Sequence, residues 1–337
     1  MSEKIKTAIL GYGRSGSTLH ADPIANLPDF DLTAVCDIDA AARQKAFDRH
    51  GCRVYEDYHE MLAQEDLDLV VVVTRSDQHN EMSCDCLRVG KNVLVTKPWA
   101  ANSTQAENMI ATAKATGKML LPWLPARWGC DLTRLKELIA AGTIGKVFQI
   151  RRAEYTFGCR NDWQTQRKYA GGYLLNWGPH LVDQPMQLAG APVKSVYAQM
   201  RQIINPGDVE DVFFAVMKTM DDVIIVTEFN IASDKLPNWV VQGDRGTIYV
   251  RGNHIEIHRM SFPEPDAGGY RSRVEKEVIE ETISGDCFGD NHEVYAHIAR
   301  AVRGEEPYRV PLESTASLTR VMDAIRESSE TGMTVTP

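Results

Sequence analysis

Residues 4–10 run directly into Gly11-Tyr12-Gly13-Arg14-Ser15-Gly16, and this junction restricts the possible folds more than any other part of the chain. Ile5, Ala8, Ile9 and Leu10 form an apolar, strand-like run, and a helical pattern through Leu19, Ile24 and Leu27 follows the glycines. A strand, a glycine-rich turn and a helix in that order open a dinucleotide-binding fold. One glycine makes the tight turn, one lets backbone N–H groups approach a pyrophosphate, and one lets helix and strand pack closely. The start of the helix directs its positive dipole end at the phosphates. Asp37 closes the next apolar run (Leu32, Ala34, Val35), twenty-one residues beyond Gly16. A carboxylate there accepts hydrogen bonds from an adenosine ribose and repels a 2′-phosphate. The pattern predicts a dinucleotide site with NAD(H) preferred, and the nearby base Arg43 keeps NADP(H) as the alternative.

A chain of 337 residues accommodates two domains. The net charge of −9 argues against nucleic acid or an anionic membrane surface as the main partner. The most apolar stretch, 67–73, is far too short to span a bilayer, and 1–7 carries no signal-peptide pattern, so the expected location is the cytoplasm. Seven cysteines without regular spacing read as reduced thiols. Cys84 and Cys86, two apart in an expected helix, face different ways and make a poor metal pair, so no metal site is expected.

Strand-like runs at 6–10, 32–36, 67–73, 93–96 and 119–123 alternate with helix-like segments at 15–26, 40–50, 78–89 and 103–116. Continuous apolar strands in that rhythm predict a parallel sheet covered on both faces, with the ligand at the carboxyl ends of the strands. The rhythm changes near 122–127. One amphipathic helix at 131–141 precedes strand candidates at 147–156, 193–202, 209–220, 223–231, 239–242, 247–250 and 255–259, with Asp221-Asp222 as a hairpin turn. Residues 263–269 read as a loop, and helices at 291–302 and 314–329 finish the chain. The expected architecture is an α/β dinucleotide-binding domain over 1–124 and an α+β domain over 125–337 with a large open, mostly antiparallel sheet. Such a sheet needs cover on both faces, and self-association as a homodimer or homotetramer supplies it.

Two groups of residues carry possible chemistry. Thr96-Lys97-Pro98-Trp99 follows a parallel strand, which places a lysine ammonium where it can hold a substrate oxygen and stabilise a developing alkoxide. Pro98 restricts Lys97 to extended backbone and permits a cis bond. In 171–183, helical spacing would set Asn176, His180 and Asp183 on one face, with Pro179 and Pro185 starting or kinking the helix. An imidazole there can handle the hydroxyl proton that accompanies hydride transfer.

These residues resemble the Gfo/Idh/MocA oxidoreductases, the relatives of glucose–fructose oxidoreductase and inositol dehydrogenase. The resemblance rests on Gly11 to Gly16, Ala34-Val35-Cys36-Asp37, 74–79, Thr96-Lys97-Pro98, 171–183 and the tail 324–335. It implies a Rossmann domain, an open-sheet domain, and a sugar or cyclitol bound between them over a nicotinamide. Catalysis would fall to Lys97 and His180 with Asn176. Cofactor contacts would come from Gly11, Tyr12, Gly13, Arg14, Ser15, Gly16, Asp37, Ile38, Thr74, Arg75, His79, Thr96, Lys97 and Pro98. The substrate would meet Trp99, Arg127, Tyr155, Arg160, Asp162, Trp163, Asn176 and His180, a set suited to a polyhydroxylated ring. The chain departs from the family at Thr96, where a glutamate is usual, and at Asn176, where an aspartate is common. Both changes remove negative charge beside Lys97 and His180, which weakens the hold of each on a proton. The implied activity is an NAD(H)-dependent oxidoreductase acting on CH–OH groups. The alternatives are a redox-neutral glycosidase or lyase that oxidises its substrate transiently, and a non-catalytic nucleotide- or sugar-binding regulator.

Overall fold

The structure, a computed structural model, describes residues 3–262 and 274–337, so the loop expected at 263–269 lies outside the described residues. The chain divides into two compact units. The first comprises Met1–Pro125, Lys168–Gly171 and Asp290–Arg320; the second comprises Ala126–Arg167, Gly172–Gly289 and Val321–Pro337.

The first unit begins with β1 (Ile5–Leu10), α1 (Asp22–Asn26), β2 (Phe30–Cys36), α2 (Ala40–His50), β3 (Arg53–Tyr55), α3 (Tyr58–Gln64), β4 (Leu69–Val72), α4 (His79–Arg88), β5 (Asn92–Val95), α5 (Ser103–Thr116) and β6 (Leu120–Pro122). Its six strands pair in parallel in the order β3-β2-β1-β4-β5-β6, the order of a doubly wound dinucleotide fold. Ala8, Leu10, Val70, Val72, Val93 and Val95 are fully buried in its core, and burying each of the larger side chains contributes about 1.5–3 kcal/mol. Helix ends follow local chemistry. Asp39 caps α2 by accepting from the Ala41 N–H at 2.9 Å, and Gly51 ends it at φ +66°.

Three features differ from the sequence expectation. The helix read over 15–26 starts at Arg14 and passes through a π-helical stretch (Gly16–Ala21) before α1, where Pro23 has no N–H to give to the ladder. The short β3 and seven-residue α3 carry too few periodic positions to stand out, although Asp57 caps α3. In the second unit, β14 is an edge strand rich in Glu and Lys, which conceals it as a strand while protecting the edge.

The second unit contains α6 (Cys130–Ala140), β7 (Val147–Tyr155), α7 (Tyr173–Leu181), α8 (Asp183–Ala189), β8 (Val193–Arg201), β9 (Val212–Thr219), β10 (Ile224–Asn230), β11 (Trp239–Gly243), β12 (Gly246–Arg251), β13 (His254–Ser261) and β14 (Glu275–Thr282). Its eight strands run β14-β13-β12-β11-β7-β10-β9-β8, antiparallel except for the β10–β7 pair. Asp221-Asp222 turns β9 into β10, with Asp222 at φ +68°. Ile150, Trp239, Val241, Ile248 and Ile257 bury one face against Leu132, Leu135 and Leu138 of α6. On the other face, Phe214, Val226, Val240 and Tyr249 remain partly exposed and Tyr197 is exposed.

Two helices close the chain, α9 (Asn291–Val302) and α10 (Leu312–Thr331). α9 and the start of α10 belong to the first unit. There Tyr295 is buried against Phe30 and Trp123, and its hydroxyl lies 2.7 Å from Nδ1 of His20. Burial holds the His20 pKa down at about 3. An unfolded histidine titrates near 6.5, so below that pH the unfolded chain takes up a proton that the folded ring refuses. This contribution is fully present above pH 6.5 and is lost progressively as pH falls towards 3. The loss is at most about 1.4 kcal/mol per pH unit. Urea unfolding at pH 7 and pH 5 should therefore show a smaller acid penalty in His20→Gln than in the wild type. An equal penalty in both would refute the buried neutral ring.

Candidate functional site

In the first unit the glycine turn is built by crowding. Gly11 adopts φ +95°, and a Cβ there would lie 2.9 Å from the Val73 carbonyl oxygen and 3.2 Å from the Thr74 nitrogen. A Cβ on Gly16 would lie 2.0 Å from the Gly11 carbonyl oxygen, whereas Gly13 faces open space. Two glycines are thus required by backbone packing, and the third leaves the turn approachable. Arg14 and Ser15 start the helix, and the Arg14 carbonyl accepts from Ser17 and Thr18 hydroxyls.

Asp37 braces this turn. One carboxylate oxygen accepts from the Tyr12 N–H at 2.6 Å and the other from the Asp39 N–H at 2.9 Å. Two of about four lone-pair sites stay available for ribose hydroxyls. Ile38 beside it is 83% exposed, an apolar side chain placed in water. Arg43 is tied to the carbonyls of Asp37 and Ile38 and to Glu56. Tyr12 is buried with its hydroxyl 2.8 Å from His50 Nε2. These residues fit a dinucleotide.

The loops after β4 and β5 are joined by His79. Its ring is fully buried, with Nδ1 2.8 Å from the Pro98 carbonyl and Nε2 3.0 Å from the Thr74 carbonyl. Burial lowers its pKa, opposed by those two contacts. The Thr96 hydroxyl and N–H both donate to the Val72 carbonyl, each at 3.0 Å, which fixes the exit of β5. Lys97 follows, half-buried, with a cis bond to Pro98. Trp99 is buried and donates to Thr319 at 2.9 Å, so its indole N–H serves the packing of this unit. Arg75 stands 3.6 Å from Asp77 and lies over the ring of Tyr169.

In the second unit, Asn176 and His180 sit one turn apart on α7. The sequence reading carried that face on to Asp183, but α7 ends at Leu181 and Asp183 starts α8. Pro179 inside α7 cannot sustain the ladder, and the chain re-starts after Val182. Asp183 instead grips Arg127 through two hydrogen bonds of 2.9 and 2.7 Å, with both side chains buried. His180 is buried between Trp177 and Phe288, with ring centroids at 6.2 and 5.4 Å. Tyr173 and Trp177 stack on Phe229 and hold this face of α7 to β10.

The remaining expected residues cluster at the end of β7. The Tyr155 hydroxyl meets Glu228 and Arg151, both at 3.1 Å, and burial followed by the Glu228 charge pushes its pKa up to about 12. Arg160 pairs with Asp162 at 2.5 Å, and Asp162 caps the turn that carries Trp163. A cavity of about 740 Å³ in the same unit is lined by Asp131, Arg152, Glu154, Asn238 and Phe288 among others. Among the described residues no cluster of His, Cys, Asp or Glu is able to hold a metal, and no helix is long and apolar enough to cross a membrane.

Sequence reasoning missed Glu210. This partly buried carboxylate accepts from the Leu174 N–H at 2.9 Å, and its backbone carbonyl accepts from Tyr173, so it caps the helix that carries Asn176 and His180. Burial raises its pKa. No local pattern links it to a helix thirty-six residues away.

Known proteins share this fold. Residues 5–122 match the family model described as "Oxidoreductase family, NAD-binding Rossmann fold", and 132–249 match the "GFO/IDH/MocA C-terminal domain". The chain is 28% identical over 342 residues to the uncharacterized oxidoreductase YdgJ of Escherichia coli, covering 98% of each. It is 23% identical to the scyllo-inositol 2-dehydrogenase (NADP(+)) IolW of Bacillus subtilis, covering 99% of this chain and 96% of that one. The crystal structure of an NAD-binding protein from Listeria innocua superposes with a TM-score of 0.85 at 25% identity, covering 99% and 97% of the two chains.

Proposed function

Because the chain belongs to the Gfo/Idh/MocA family of oxidoreductases, with an NAD-binding Rossmann domain over its first third, we propose that it transfers hydride between NAD(H) and a secondary alcohol or ketone of a sugar, sugar derivative or cyclitol. The observation that carries this reading is Lys97 at the carboxyl edge of the cofactor sheet, two residues past the end of β5 and tied through Pro98 and His79 to the loop that touches the glycine turn. When bound, NAD supplies the hydride acceptor.

Lys97 holds the substrate oxygen and stabilises the negative charge that grows on it. His180 takes the hydroxyl proton in oxidation and returns it in reduction. Asn176, one turn earlier on α7, orients the imidazole or substrate without adding charge. Thr96 and Asn176 themselves add no carboxylate beside Lys97 and His180. Arg152, Glu154, Asn238 and the face of Phe288 offer the mixture of donors, acceptors and aromatic surface that hydroxyl-rich rings require, and they support a sugar-like substrate. The Asp37 carboxylate supports NAD(H) over NADP(H). The partly exposed apolar face of the large sheet supports a homodimer or homotetramer.

The test is incubation with NAD⁺ and a panel of inositols, aldoses and glycosides. Reduced nicotinamide should accumulate with at least one of them, and more slowly with NADP⁺. Flat absorbance across the panel with sugar release would replace net oxidation by a redox-neutral glycosidase. Flat absorbance with every compound intact would remove the reading for these substrate classes.

A further inference from the structure

We propose that Tyr169 is a positioning residue for the dinucleotide: its ring fixes the guanidinium of Arg75, a residue of the loop that contacts the glycine turn, so that an anionic pyrophosphate meets a cation already in place. Lys168–Gly171 groups with the first unit, although the residues immediately before and after it group with the second. The backbone is unusual at that point. Ala170 takes φ +53°, a conformation uncommon for a residue with a Cβ, and Gly172 follows at φ +108°.

What this segment adds to the first unit is an aromatic ring in contact with two cations. The Arg75 guanidinium carbon lies 4.1 Å from the Tyr169 ring centroid, and Lys168 Nζ lies 4.6 Å from it. The ring holds Arg75 together with a loose ion pair to Asp77. Arg75 Nε and Asp77 Oδ1 are 3.6 Å apart, and both are buried without a hydrogen-bond partner among the described residues. Arg75 directly follows Thr74, whose nitrogen is 3.2 Å from where a Gly11 Cβ would stand. The held cation therefore belongs to the loop in contact with the glycine turn. A planar guanidinium suits a pyrophosphate, and holding it in advance removes the rotamer entropy that binding would otherwise cost. The proposal rests on the NAD-binding fold and not on the substrate reading, so the two stand or fall separately.

Fluorescence titration with NADH and stopped-flow release test it. Tyr169→Ala should weaken NADH binding about tenfold, mainly through faster release, and Tyr169→Phe should restore it because the ring face does the holding. ADP-ribose, which keeps the pyrophosphate, should show the same loss, and adenosine should not. Arg75→Gln should weaken NADH similarly, and Tyr169→Ala added to Arg75→Gln should cost nothing further. Circular dichroism separates these effects from unfolding. Wild-type affinity in a folded Tyr169→Ala, a full additional loss in the Arg75→Gln background, or failure of Tyr169→Phe to restore binding would each overturn the proposal.

Discussion

Lys97→Met should lower kcat/KM for the alcohol substrate by about a thousandfold while changing NADH affinity only a few fold. The lysine follows β5, whose exit is pinned by two hydrogen bonds from Thr96 to Val72. It is half-buried among buried neighbours, where a charge acts on a bound oxygen with less screening than in open water. Methionine keeps the length and apolar stem and removes only the ammonium. His180→Asn should cost about a hundredfold to ten-thousandfold in the same quantity, since it removes the proton acceptor. If the two residues act on one bond, the double variant should fall little below the weaker single one. Steady-state kinetics alongside NADH titration make the check. Equal losses in turnover and cofactor affinity would reassign Lys97 to cofactor binding alone.

The second large effect concerns stability. Arg127→Met should destabilise the protein by about 3–5 kcal/mol, because it leaves the Asp183 carboxylate buried and unpaired. Asp183 is 1% exposed and Arg127 5%, so water does little to replace the lost partner. The pair also anchors a network. Gln184, next to Asp183, accepts from Arg152 Nε at 2.9 Å and donates to the Ala126 carbonyl at 3.3 Å, so the start of α8, β7 and the turn carrying Arg127 are fixed together. Arg127→Met combined with Asp183→Leu should recover most of the loss, since an apolar pair of similar volume has no buried charge to satisfy. Urea unfolding measures all three. The family resemblance assigned Arg127 to the substrate. A raised KM with unchanged stability in Arg127→Met would favour that assignment over the structural role.

The parts of the molecule that the sequence exposed are those with local causes. The glycine turn depends on a few adjacent residues, and its crowding against Val73 and within Gly11–Gly16 leaves no freedom to vary the pattern. α2 and α5 matched their expected bounds because Asp39 and Asn102 cap their starts and Gly51 and Gly117 their ends. What stayed hidden depends on distant partners. Asp183 looked like a third member of a helical face until the helix ended before it, and its true partner lies fifty-six positions away in sequence. Glu210 and Tyr169 have no local pattern that marks them. Charged β14 and three-residue β3 lack the hydrophobic run by which a strand is recognised. The closing helices were legible as helices, but the membership of α9 and the start of α10 in the first unit is set by contacts such as Tyr295 with His20 and Trp99 with Thr319, which no spacing encodes.

The most direct test of the account follows one hydrogen. A sugar or cyclitol that reduces NAD⁺ in the panel is prepared with deuterium on its carbinol carbon and incubated with the protein. Mass spectrometry then reads the nicotinamide product. Hydride transfer places the deuterium in the reduced nicotinamide, and Lys97→Met and His180→Asn slow its appearance. Oxidised substrate formed with no deuterium in the nicotinamide would contradict the proposed reaction.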